Sequence, residues 1–106
     1  MTPFDRTTAS PGEVIQFYII EGLKIGVPEL ARALNVAPNR LYQIIQNKRD
    51  ISVDTAIRLG VFMEMDPCFW LDIQSRYQVR MMKKKKNGFT RDVIPYKASS
   101  AVPIND

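Results

Sequence analysis

The feature that most limits how this chain can fold is a pair of short helical signals almost touching in sequence. Gly26 begins the first, with Pro28 tolerated in its opening turn. Glu29 suits that positive helix end, and Leu30, Ala31 and Leu34 fall on one side at helical spacing. Asn35 and Val36 make a short turn, and Pro38 opens a second helix reaching to about Gln46. In that helix Leu41, Ile44 and Ile45 point inward, which leaves Asn39, Arg40, Tyr42, Gln43 and Gln46 on the outer side. Two short helices about three residues apart have the spacing of a helix-turn-helix.

The flanking sequence supplies three more helices. Ser10-Pro11-Gly12-Glu13 reads as a capping-box start, with a helix to about Glu21 ended by Gly22. Its buried stripe is expected to be Ile15, Tyr18 and Ile19. Asn47-Lys48-Arg49-Asp50 forms a polar loop anchored by Ile51, and Ser52 caps a fourth helix, Val53 to Met63. Asp66-Pro67 repeats the cap-then-proline signal and opens a fifth helix to about Met82. Phe69, Trp70, Ile73 and Tyr77 share its broad apolar face. Phe69 and Trp70 are assigned to the core, Ile73 and Tyr77 to a dimer interface, and Cys68 to a small apolar role.

The expected architecture is therefore all-α: five helices and a flexible C-terminal tail. Residues 1–9 form an N-terminal arm, 10–82 the helix-turn-helix domain, and 83–106 a basic, mobile tail, with helical periodicity lost after Asn87-Gly88.

Composition removes whole classes of function. The 106-residue chain has no histidine and one cysteine. A zinc site, a Cys–His nucleophile and an intramolecular disulfide cannot be assembled. Neither a glycine-rich phosphate loop nor a paired acidic motif is present, so the expectation is a non-enzyme without cofactor or metal. No signal peptide is visible, and no apolar run approaches the ~18 residues of a membrane span. A reducing cytoplasm is the simplest setting. The net charge of +4 is unevenly spread. Residues 1–75 hold seven Lys/Arg against nine Asp/Glu, and residues 76–106 hold eight against two. High pI thus belongs to the C-terminal third and says little about the folded part.

Four segments carry a resemblance to a known family: PGEV at 11–14, ELARALNV at 29–36, NRLYQIIQNKRDIS at 39–52, and DPCFWLDIQSRY at 66–77. Residues 10–77 resemble the HigA antitoxins, within the lambda-repressor-like (XRE-type) helix-turn-helix proteins. The proline-capped FWL followed by a glutamine is the most specific element. The resemblance implies a homodimeric repressor of its own operon, paired with an mRNA-cleaving toxin of the RelE/HigB type. This sequence departs from the family at Gly26-Val27, where Ser or Thr followed by Gln is usual, at Ala37 in place of a capping hydroxyl, and at Asn47 in place of glycine. Phe17 and Tyr18 stand where polar residues are common.

A recognition helix offers its outward, N-terminal side chains to base edges of double-stranded DNA. Here those are Gln43, Arg40 and Asn39, flanked by Tyr42. Asn or Gln can pair bidentately with adenine and Arg with guanine. Lys48 and Arg49 are placed on phosphate, assisted by Arg32 and Gln46. Lys83 to Lys86 could add electrostatic contact or be a solvated helix end. Two alternatives stay open: a regulator without a toxin, and a protein-interaction module that has lost DNA binding. The substitutions at Gly26, Val27 and Ala37 make the second conceivable.

Overall fold

The computed structural model describes residues 8–97, so most of the expected N-terminal arm and residues 98–106 of the tail lie outside the described residues. Within them are five helices and no strand. The first, α1, is an α-helical turn, Pro11–Val14, continuing without a break as a π-helix, Ile15–Glu21. It is followed by α2 (Val27–Leu34), α3 (Pro38–Ile45), α4 (Val53–Met63) and α5 (Cys68–Lys85).

The helix starts follow local chemistry. Ser10 Oγ accepts from the Glu13 N–H at 3.1 Å, and Glu13 Oε1 accepts from the Ser10 N–H at 2.9 Å, closing both halves of the capping box. Ser52 Oγ accepts from the Thr55 N–H at 3.1 Å at the head of α4. Asp66 Oδ1 accepts from the Cys68 N–H at 2.9 Å at the head of α5. Each satisfies a backbone donor that the helix itself leaves unpaired.

The helix ends are less conventional. Lys24, Asn35, Asn47 and Glu64 all have positive φ, between 53° and 61°, and each stands just beyond a helix. In all four, backbone N–H groups turn back onto the final helical carbonyls: Ile25 onto Ile20, Val36 onto Ala31, Lys48 onto Gln43, and Met65 onto Gly60. This is the Schellman ending, usually built on glycine. Gly22, expected to terminate α1, is right-handed (φ −67°, ψ −43°) and sits inside the helical run; Lys24 makes the reversal instead.

One core joins all five helices. Val14, Ile15 and Ile19 meet Leu30, Ala31 and Leu34 of α2, Leu41 and Ile44 of α3, Ala56 and Leu59 of α4, and Trp70 and Ile73 of α5. Ile51 seals it from the α3–α4 loop. Gly12 lets α1 reach the end of α3: a Cβ there would lie 2.5 Å from both the Ile44 and Ile45 carbonyl oxygens. Trp70 is fully enclosed and meets Phe69 edge-to-face at 5.2 Å, while Phe69 itself is half-buried against the core. Its indole N–H has no partner among the described residues, so Trp70 stabilises the bundle through packing.

Three expectations need correction. Tyr18 is 38% exposed rather than part of the buried stripe. Under i→i+5 winding each turn holds more residues, so Ile15 and Ile19 stay inward while a side chain three positions after Ile15 swings outward. It instead meets the Phe17 ring edge-to-face at 4.8 Å. Ile73 is 1% exposed and belongs to the core of the single chain, so it has no surface to offer a second copy. Cys68 is exposed, not packed. In addition, α5 runs to Lys85, beyond the expected Met82; Lys83, Lys84 and Lys85 occupy its last turn, where cations favour the negative helix end.

Candidate nucleic-acid interface

The outer face of α3 is built by what lies behind it. Leu41 and Ile44 are fully buried against α1 and α2, and Ile45 is half-buried. This fixes the rotation of the helix and turns the other side to solvent. Asn39 and Gln46 are exposed, Tyr42 is 44% exposed, and Gln43 is half-buried. Tyr42 and Gln43 lie three and four residues after Asn39, and Gln46 lies four and three residues after them, so the four form one continuous polar strip. Gly26 and Ala37 precede α2 and α3 without a side-chain cap, which leaves backbone donors alone at both helix starts.

Arg40 is held differently from its neighbours. It is half-buried, and its Nη1 donates to Thr55 Oγ1 at 3.4 Å, across to the first turn of α4. Thr55 is itself buried and its N–H is bound to the Ser52 cap. Of the residues assigned to base reading, Arg40 alone is tied to the scaffold of α4; Asn39, Tyr42 and Gln43 lie along the open strip.

The loop after α3 brings charge beside that strip. Asn47 takes the left-handed conformation (φ 61°), the Asn47 N–H donates to the Ile44 carbonyl at 3.0 Å, and the Lys48 N–H to the Gln43 carbonyl at 2.8 Å. The chain therefore folds back over the last turn of α3. Lys48 and Arg49 are both exposed, and Arg49 Nε donates to Gln43 Oε1 at 2.8 Å. Arg32, in the last turn of α2, is exposed as well.

Sequence reasoning overlooked the residue that holds this loop. Gln74, on α5, donates from Nε2 to the Ile51 carbonyl at 2.8 Å and accepts the Ile51 N–H on Oε1. One side-chain amide thus takes the place of a strand partner for Ile51 and clamps the end of the loop to α5. Gln74 was visible only as the glutamine of the DPCFWLDIQ segment; nothing in its spacing pointed to residue 51. Arg58 was overlooked too. Its Nη1 donates to the Leu34 carbonyl at 3.0 Å, satisfying the end of α2, and its Nε pairs with Asp54.

Tyr77, the second residue assigned to a dimer interface, is half-buried, and the Arg80 guanidinium lies 5.3 Å from its ring centroid. Arg80 Nη2 also donates to the Thr8 carbonyl, tying the described start of the chain to α5. Among the described residues no cluster of three or more metal-binding side chains occurs, and no helix is long and apolar enough to cross a membrane.

A buried two-helix unit, a polar outer strip on its second helix and a basic loop immediately after it define a helix-turn-helix of the nucleic-acid-binding class. Comparison with known proteins gives the family. No protein-family model matches the chain. Virulence-associated protein I of Dichelobacter nodosus is 33% identical over 76 residues, spanning 72% of this chain and 70% of that protein. An addiction module antidote protein of the HigA family from Coxiella burnetii superposes with a TM-score of 0.77 at 32% identity, over 83% of this chain and 97% of that one. The Pseudomonas aeruginosa antitoxin HigA, solved with the higBA promoter, gives 0.77 at 29% identity, over 85% and 98%. The chain belongs to the HigA family of XRE-like helix-turn-helix antitoxins.

Proposed function

We propose that this protein is a sequence-specific DNA-binding repressor that binds its own operator as a homodimer and neutralises an mRNA-cleaving toxin of the RelE/HigB type. The observation that carries the DNA part is the α3 strip. Asn39, Tyr42 and Gln43 face outward on a helix whose opposite side is locked into the core. Lys48 and Arg49 follow where the backbone of a docked duplex passes. The similarity to an antitoxin solved with promoter DNA supports the same reading.

Gln43 and Asn39 are the base readers in this proposal, with Tyr42 flanking them. Arg40 joins them as a base reader by releasing Thr55 Oγ1 on contact with DNA. Lys48, Arg49, Arg32 and Gln46 bind phosphate. Dimerisation sets two recognition helices about 34 Å apart, one turn of the duplex. With Ile73 in the core, the second copy is expected on the outer side of α5 beside Tyr77, where Met81, one turn further on, remains exposed. The toxin part rests on family membership.

A gel-shift against the DNA upstream of its own gene, with a random duplex as competitor, tests the DNA reading. Specific retardation supports it. Equal, salt-labile binding to both duplexes would instead favour an interaction module, a reading that the uncapped starts of α2 and α3 keep in view. Co-expression with the protein of the adjacent reading frame tests the toxin: rescue of growth on induction is the expected result.

A further inference from the structure

We propose that Arg49 sets the sequence preference of Gln43, acting as a positioning residue for the base reader as well as a phosphate contact. The inference rests on the DNA reading above and goes past it by assigning one residue's specificity to another's geometry.

Gln43 has a carbonyl oxygen and an NH2 group that are nearly the same size and can be exchanged by rotating the terminal torsion, a broad and shallow one. The two orientations present opposite hydrogen-bonding patterns to a base edge. An unrestrained glutamine would therefore lose orientational freedom on binding and discriminate poorly between patterns. Here the choice is made in the free protein. Arg49 Nε donates to Gln43 Oε1 at 2.8 Å, a bond only the carbonyl can accept. The NH2 group is thereby turned away from Arg49, while Oε1 keeps a second lone pair.

Arg49 is held in place to do this. The left-handed Asn47 folds the loop back over α3, with Lys48 N–H on the Gln43 carbonyl. Two residues beyond Arg49, Ile51 is buried and clamped through its backbone by Gln74. Both ends of the loop backbone are fixed, which sets the Arg49 side chain beside Gln43, where the exposed Nε–Oε1 bond forms. The guanidinium is planar and carries five donors, of which this contact uses the one on Nε. The Nη donors remain for a phosphate oxygen, so one side chain can join the DNA backbone to the base reader. Lysine could replace the charge but not this geometry: an ammonium is a point charge on a flexible stem, with no planar fork to fix the orientation of the amide relative to the phosphate.

The test is binding of the full-length protein to a library of its own upstream duplex with every operator base pair varied, for wild type, Gln43→Ala, Arg49→Lys, Arg49→Ala and the double variant Gln43→Ala/Arg49→Lys. Both positions lie on the surface side of α3 and its loop, and thermal melts check that each variant is folded. Gln43→Ala is expected to flatten preference at one base pair by roughly 5- to 150-fold, the equivalent of a lost bidentate pair. Arg49→Lys is expected to reduce preference at that same base pair by at least about threefold while keeping the salt dependence of wild type. The double variant is expected to discriminate no worse there than Gln43→Ala alone, because the two changes remove one arrangement. Arg49→Ala should add a shallower salt dependence to the same loss. Full discrimination in Arg49→Lys, or losses that simply add in the double variant, would overturn the inference and leave Gln43 as reader. Unchanged base preference in Gln43→Ala would overturn the DNA reading at Gln43 and the inference with it.

Discussion

Residues up to Ile73 and residues after it are built on different principles. The first part holds every buried apolar side chain among the described residues, and its charges are nearly balanced. The second part, the end of α5 and the turns through Val93, contains none, and the last 31 residues hold eight Lys/Arg against two Asp/Glu. Stability and positive charge have thus been separated along the chain. The α3 strip lies in the part that is packed on the core and close to neutral, where side-chain geometry can discriminate between bases. The excess charge lies where only long-range, sequence-blind attraction can be expected of it.

The comparison can be broken first by emptying the core. Trp70→Ala is expected to destabilise by about 3–5 kcal/mol, the cost of deleting a large buried aromatic, whereas Met82→Ala on the exposed end of the same helix should change stability by less than about 0.5 kcal/mol. Urea unfolding of both variants measures it. If Met82→Ala costs as much as Trp70→Ala, the end of α5 is packed in solution, and the division is wrong.

The next effect concerns how α1 seats α3. Gly12→Ala pushes a methyl group into two backbone carbonyls that cannot move without shifting α3, so a loss of about 1–3 kcal/mol is expected. Chemical denaturation reads the stability, and hydrogen exchange at the Ile44 and Ile45 amides reads where the damage lies. Gln74→Leu should follow at about 1–3 kcal/mol, since it strands both backbone groups of the buried Ile51. Weaker DNA binding is expected in the same variant under conditions where the bundle stays folded, because the loop carrying Lys48 and Arg49 loses its anchor. Binding at wild-type strength would show that the clamp serves stability alone.

The smallest effect has the opposite sign. Glu64 ends α4 in the left-handed region without a glycine's freedom. Glu64→Gly is expected to stabilise by about 0.5–1 kcal/mol, raising Tm by several degrees. A fall in Tm would mean that the unfolded chain's gain in freedom outweighs the relief.

Much of this molecule was legible in its sequence because the signals were local. Ser10-Pro11, Ser52 and Asp66-Pro67 mark helix starts through contacts that span two or three residues, and the short gap between α2 and α3 defines their relationship. The polar strip of α3 followed from the apolar residues on its other side. What stayed hidden depends on distant partners or on backbone winding. The π-helical course of α1 turned Tyr18 outward, and no residue between Ile15 and Glu21 advertises it. The left-handed endings at Lys24 and Glu64 carry no glycine or asparagine to mark them. Arg40 meets Thr55 fifteen positions away, and Gln74 meets Ile51 across twenty-three, so neither contact has a periodic signature. Ile73 shows the limit of reading one helix by itself: its apolar face was visible, but whether the covering surface came from this chain or another was not.

The central claim is that the folded α3 strip, not the basic end of the chain, distinguishes one DNA sequence from another. It is tested most directly by measuring the ratio of affinities for the protein's own upstream duplex and a shuffled duplex, for wild type, Gln43→Ala, and a variant with Lys83 to Lys86 all changed to Gln. The expected result is a ratio that collapses in Gln43→Ala and is retained in the lysine variant, even if the latter binds both duplexes more weakly. A ratio retained in Gln43→Ala but lost in the lysine variant would contradict the claim.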